Sequence, residues 1–250
     1  GLELLAPLHY LRKALAPTAD LLEVPLNDAL LSNPDVIIMA DVAKIPETQA
    51  LEQWVNDGGM LVRFAGPRLA ASDVARDAID PLMPVRLRQG GRNIGGAMSW
   101  GEPKSLRPFA KTSPFYGLPE YPEVTVSAQV VAQPDPELSS RSIATFADGT
   151  PLVTRKALGQ GQVILFHVTA TAEWSTLPLS GLFVQMLERL AITTRATTPS
   201  EADLSGTVWA VEHMLDGFGD LGNGDNIAGV SGKVLADVLS TGAATAQVPP

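Results

Sequence analysis

Side chains able to do acid–base chemistry are few and widely spaced in this chain. His167 follows the apolar run Val163 to Phe166, Glu173 stands six residues on, and Asp41 follows the apolar run Val36 to Ala40. A carboxylate that orients an imidazole, which then moves a proton, is a common arrangement for hydrolysis. Asp41, His167 and Glu173 therefore form the acid–base set of a hydrolase or carbohydrate-related enzyme, provided that the fold brings them to one crevice. A nucleophile is harder to find. No cysteine is present, which excludes thiolates, disulfides and Cys-ligated zinc together. Ser180-Gly181 lacks the preceding glycine of a Gly-x-Ser-x-Gly elbow and reads as a helix start. His9, His167 and His213 share no metal-ligand spacing, so no metal is expected. Asp216, Asp220, Asn223, Asp225 and Asn226 gather oxygen ligands among glycines, but they depart from EF-hand spacing and lack its closing glutamate. A solvated loop is the expectation there. Gly159-Gln160-Gly161 leads into a strand and not a helix, so it reads as a hairpin turn and not a phosphate cradle. No cofactor is expected.

The elements that must position these groups centre on Asn33 to Pro67. Val36 to Ala40 is a continuous apolar run, as in a parallel strand buried on both faces. Pro46 and Glu47 suit a helix start, and Leu51, Trp54 and Val55 give that helix one apolar face. Asp57-Gly58-Gly59 ends it, and Met60 to Ala65 is a second buried strand closed by Gly66-Pro67. Strand, crossover helix and parallel strand make an α/β unit, whose site lies beyond the carboxyl ends of the strands. The segments 41–43 and 64–68 are therefore the ones that should line a crevice.

Around this unit the chain opens with a helix on Leu4, Leu5, Leu8, Leu11 and Leu15, then a short strand over 19–24 and a short helix over 26–31. A doubly wound fold predicts a strand ahead of that first helix, and Gly1 without an initiator methionine predicts a piece of a longer polypeptide. Leu69, Val74, Ala75 and Ile79 predict a helix. From about 84 to 133 short β-like runs (85–88, 94–100 and 124–131) punctuated by Gly and Pro predict a β-rich insertion. Asp148-Gly149 marks a hairpin between 143–146 and 152–157, and Val163 to Val168 is a further buried strand. Leu179 to Ile192 is the last strong helix, with Leu182, Phe183, Met186, Leu187 and Leu190 facing inward. Residues 1–195 thus read as one α/β domain, and 196–250 as a loop-rich extension in which 208–215 could make one short helix. A net charge of −9 argues against a nucleic-acid partner. No apolar run approaches a membrane span.

The segment Asp57-Gly58-Gly59-Met60-Leu61-Val62-Arg63-Phe64-Ala65-Gly66 resembles the helix-to-strand segment of class I glutamine amidotransferases, which ends in a Gly-x-Cys-x-Gly nucleophile elbow. The resemblance puts Phe64 at the cysteine position and Asp41-Val42-Ala43-Lys44 in place of the glycine-rich oxyanion loop. It matches Phe166-His167 to the family's Phe-His-Pro-Glu run, with Val168 in place of proline and Glu173 six residues from the histidine where the family has two. Phenylalanine cannot attack an amide, and an acidic side chain repels a developing oxyanion.

Leu5 to Pro17, Val62 to Leu69 and Trp174 to Phe183 together resemble the middle region of large bacterial membrane proteins. Those proteins begin with an aerotolerance-regulator-type (BatA-like) segment and end in a domain of unknown function.

The resemblance implies a three-layer α/β core of the flavodoxin-like, glutamine-amidotransferase-like kind with a β-rich insertion. It also implies a non-catalytic binding or scaffolding module on the extracytoplasmic side of a membrane-anchored protein. Its partners would be other domains of that protein or other proteins. The candidate crevice residues are Asp41, Arg63, Phe64, Arg68, His167, Glu173 and Trp174.

Overall fold

In a computed structural model of the chain, the described residues are 6, 8–76, 80–88 and 98–192, with four short strands between 208 and 231. The chain divides into two compact units, residues 1–195 and 196–250.

The first unit is built on a five-stranded sheet. β1 (Val36–Ala40), β2 (Met60–Phe64) and β7 (Gly161–Phe166) run parallel side by side. β6 (Pro151–Leu158) and β5 (Ser142–Thr145) extend the sheet antiparallel, giving the order β1-β2-β7-β6-β5. α3 (Thr48–Asn56) is the crossover between β1 and β2 and buries Leu51, Trp54 and Val55 against Ile37, Leu61 and Val163. Successive β2 residues point to opposite faces. Met60, Val62 and Phe64 meet α1 (His9–Leu15) and α6 (Gly181–Ile192) on the other side. This gives the three layers of a flavodoxin-like core. Between Phe64 and α4 (Pro67–Ala71) the chain turns at Gly66. β3 (Met98–Ser105) and β4 (Thr125–Val130) form a separate antiparallel ribbon, whose Ala128 and Val130 pack with Leu69, Leu165 and Trp174 on the α3 side. These are the strands added to the core.

Both predicted turns join strands of the main sheet. Gly149 (φ 85°) sits in the β5–β6 turn, where Asp148 Oδ1 accepts from Thr150 N and Thr150 Oγ1. Partial burial raises the Asp148 pKa, but the hydrogen bonds from Lys104 and Thr150 outweigh it and hold the carboxyl at about 2. Residues just after β3 close the outer edge of β5. Arg107 N donates to Thr145 O, Ala147 N to Ser105 O, and Ser113 Oγ to Ile143 O at 2.6 Å. An edge so covered offers no row of unpaired amides to another chain.

Several expectations need correction. The run 19–24 joins no sheet. The helix expected over 69–79 ends at Ala71, because Ser72 Oγ bonds Leu69 O and accepts from Val74 N, closing a local turn; residues 77–79 lie outside the described residues. The strand expected at 85–88 is a single bridge, Leu87 to Ala132, flanked by Arg88 N to Val131 O and Gln133 N to Arg86 O. The last helix starts at Gly181 after a 3-10 turn at Leu177–Leu179, and Ser180 Oγ accepts from Phe183 N at its start.

In the second unit, the described residues of the run 208–215 are not helical but form two strands, β8 (Val208–Trp209) and β9 (His213–Leu215). β8 pairs with β11 (Val230–Ser231), and β9 with β10 (Leu221–Asn223). Short apolar runs do not tell a helix from a strand by periodicity alone. Asn223 lies in β10 opposite His213; Asp216, Asp220, Asp225 and Asn226 lie outside the described residues.

Candidate functional site

Beyond the carboxyl ends of β1 and β2 the chain binds itself. Asp41, the first residue after β1, has a left-handed backbone (φ 54°), and its N–H donates to Phe64 O at 3.0 Å. Its carboxylate turns back across the crevice, where Oδ2 accepts from Arg68 N at 3.1 Å and Oδ1 from Leu69 N at 3.0 Å. Those amides belong to the first turn of α4, whose free N–H groups and dipole favour an anion. Asp41 therefore stands in for the anion that such a turn would otherwise offer to bind. Gly66 makes room for it. A Cβ there would lie 2.3 Å from Asp41 Cγ, although the Gly66 backbone itself is extended.

Arg63 holds the loop that carries Asp41. It is buried on β2, with Nη2 donating to Val42 O at 2.6 Å and Nη1 to Leu82 O at 3.1 Å. Burial lowers its pKa, and the charge of Asp80 opposes that. Lys156 Nζ reaches Asp80 O at 3.5 Å, and Arg141 Nη1 reaches Pro84 O at 3.3 Å. Cations from β2, β6 and α5 (Leu138–Arg141) thus fasten the carbonyls of residues 80, 82 and 84, one loop, from three sides. Burial, and then the neighbouring Arg141 charge, lower the Lys156 pKa.

Phe64 is not displayed in the crevice. It is buried, stacks on Phe166 (centroids 4.4 Å apart, 17° between planes) and meets Phe183 edge-on at 5.9 Å. It lacks the left-handed backbone found at Asp41. The residue at the nucleophile position belongs to the core between the sheet and α6. With no cysteine anywhere in the chain, the thiolate chemistry of this fold is absent.

His167 is sealed between β4, β6 and β7. Its Nδ1 lies 2.7 Å from Val130 O, and its Nε2 lies 3.0 Å from Thr154 Oγ1. A carbonyl only accepts, so Nδ1 carries the proton and Nε2 accepts from the Thr154 hydroxyl. Complete burial pushes its pKa down to about 4, against the opposing Val130 hydrogen bond, so the ring is neutral near pH 7. Both ring nitrogens are occupied, and neither is left for Asp41 or Glu173.

Glu173 is exposed. Trp174 is buried, and its carbonyl accepts from Ser127 N at 2.8 Å and Ser127 Oγ at 3.0 Å, stitching residues 174–176 to β4. Arg68 contributes its backbone amide while its side chain is exposed.

Of the seven candidate residues, the structure gathers Asp41, Arg63 and Arg68 around the β1 and β2 ends. Phe64, His167 and Trp174 are core, and Glu173 lies apart at the surface. The set Asp41, His167 and Glu173 is not assembled. Thr154 and Gly66 were not legible as partners of the site. A lone hydroxyl in the run Leu152-Val153-Thr154 was the one trace of the histidine's partner. Among the described residues, no group of three or more His, Asp or Glu is arranged to hold a metal ion.

No protein-family model and no curated protein matches the chain. Solved structures do. A cytoplasmic protein from Salmonella typhimurium aligns with a TM-score of 0.55 at 14% identity, over 75% of this chain and 86% of that one. Another cytoplasmic protein, from Salmonella typhimurium LT2, aligns at 0.52 and 14%, over 74% and 86%. A β-galactosidase from Bacillus circulans sp. alkalophilus aligns at 0.50 and 18%, over 75% of this chain but only 27% of the enzyme. At such identities the likeness is one of fold. Together with the layers and sheet order above, the chain has a flavodoxin-like, amidotransferase-like α/β fold without that fold's nucleophile.

Proposed function

We propose that this chain is a degenerate glutamine-amidotransferase-like domain that binds or scaffolds within a membrane-anchored bacterial protein and performs no chemistry of its own. One observation carries the reading: Asp41, in the segment that the resemblance matches to the oxyanion loop, holds a carboxylate there, bonded to the amides of Arg68 and Leu69. A negative group held there repels the charge that amide hydrolysis must develop. The core position of Phe64 and the doubly bonded His167 support the same conclusion.

The membrane-anchored context and the extracytoplasmic side rest on the sequence resemblance. Among the described residues, no helix is long and apolar enough to cross a membrane. Its partners in this reading are neighbouring domains or other proteins. The net charge of −9 disfavours nucleic acid.

The test is hydrolysis of glutamine and of activated esters by the purified chain, beside its His167→Ala variant. The expected rate equals that of buffer for both proteins. Turnover by the parent that His167→Ala abolishes would overturn the proposal. Protease protection of the full-length protein in intact cells and in opened membranes would test the membrane side.

A further inference from the structure

We draw no further inference here: the strongest candidate, the side-chain cluster of Lys156 and Arg141 over the loop 80–84, rests only on the lowered pKa of a half-buried lysine whose charge Asp80 and Glu52 already answer.

Discussion

Gly66→Ala should destabilise this protein because of a side chain that approaches from another loop. The Gly66 backbone is extended (φ −176°), a conformation open to any residue, so alanine brings no torsional strain. The nearest clash is with Asp41: the new Cβ would stand 2.3 Å from Cγ, 2.5 Å from Oδ1 and 2.6 Å from Cβ of that residue. The Asp41 Cβ is fixed to the main chain and cannot swing aside, so the carboxylate must leave the Arg68 and Leu69 amides. A hydrogen bond to a charged group contributes about 1.5–3 kcal/mol, and two at a half-buried site put the loss near the bottom of their joint range, about 3 kcal/mol.

Asp41→Gly loses the same two bonds, but glycine relieves the left-handed backbone at that position, worth about 1 kcal/mol, leaving a net loss of about 2 kcal/mol. In the double variant the clash has vanished and only the bonds are missing. Its cost should therefore equal that of Asp41→Gly, about 2 kcal/mol, where independent effects would sum to about 5. Urea unfolding of the four proteins measures the coupling, with a common slope confirming that the denatured state is unchanged. For a chain of this size about 3 kcal/mol corresponds to a melting shift on the order of 10 °C. Additive costs, or a Gly66→Ala protein within about 0.5 kcal/mol of the parent, would refute the assignment of Asp41 to the α4 amides.

Three further outcomes follow from the same geometry. His167 is held neutral with a pKa near 4 against 6.5 in the unfolded chain, so between these values the unfolded state binds the extra proton and stability rises with pH. That contribution, on the order of 3 kcal/mol, is complete above 6.5 and lost as pH falls to 4; stability curves should flatten across this window in His167→Gln, and an unaltered slope would contradict the sealed-ring assignment. Arg63→Met strands the carbonyls of Val42 and Leu82, at a cost of about 3 kcal/mol, and hydrogen exchange should quicken in 41–43 and 80–84 while α6 is unaffected. Gly161→Ala sets a Cβ 2.2 Å from the Gly59 and Val55 carbonyl oxygens, where only backbone can yield; a loss of at least about 3 kcal/mol is expected in thermal melts, and a near-neutral result would show that the α3–β7 approach is looser than described.

What the sequence disclosed and what it hid divide along a physical line. β1, α3, β2, β7 and α6 were legible because each writes its own burial into a local period: continuous apolar runs for the buried strands, and Leu51, Trp54 and Val55 or Leu182, Phe183, Met186 and Leu187 for the helices. Turn chemistry was equally local at Asp148-Gly149. Failures came where a distant partner decides. The run 19–24 has the composition of a strand, but composition does not supply the neighbour that a ladder requires. The early end of α4 depends on one hydroxyl at Ser72 competing for the backbone. The site was half legible. That Phe64 replaces a nucleophile could be read directly, but not that Asp41 reaches across to the α4 amides, a contact whose one trace is a glycine ahead of a proline.

Absence of a nucleophile alone would leave a crevice with free amides, ready for an anion, and a base awaiting a substrate. Here each such part has an internal partner. Asp41 covers the amides, Arg63 fastens the loop that carries Asp41, and Thr154 with Val130 takes both nitrogens of His167. A thiol placed at position 64 would point at Phe166 and Phe183 in the core, away from both the amides and the imidazole. Groups that would have to stay unsatisfied to serve chemistry contribute here to folding, since buried donors left without partners cost stability and paired ones do not. The same saturation leaves the crevice little to offer a small anion.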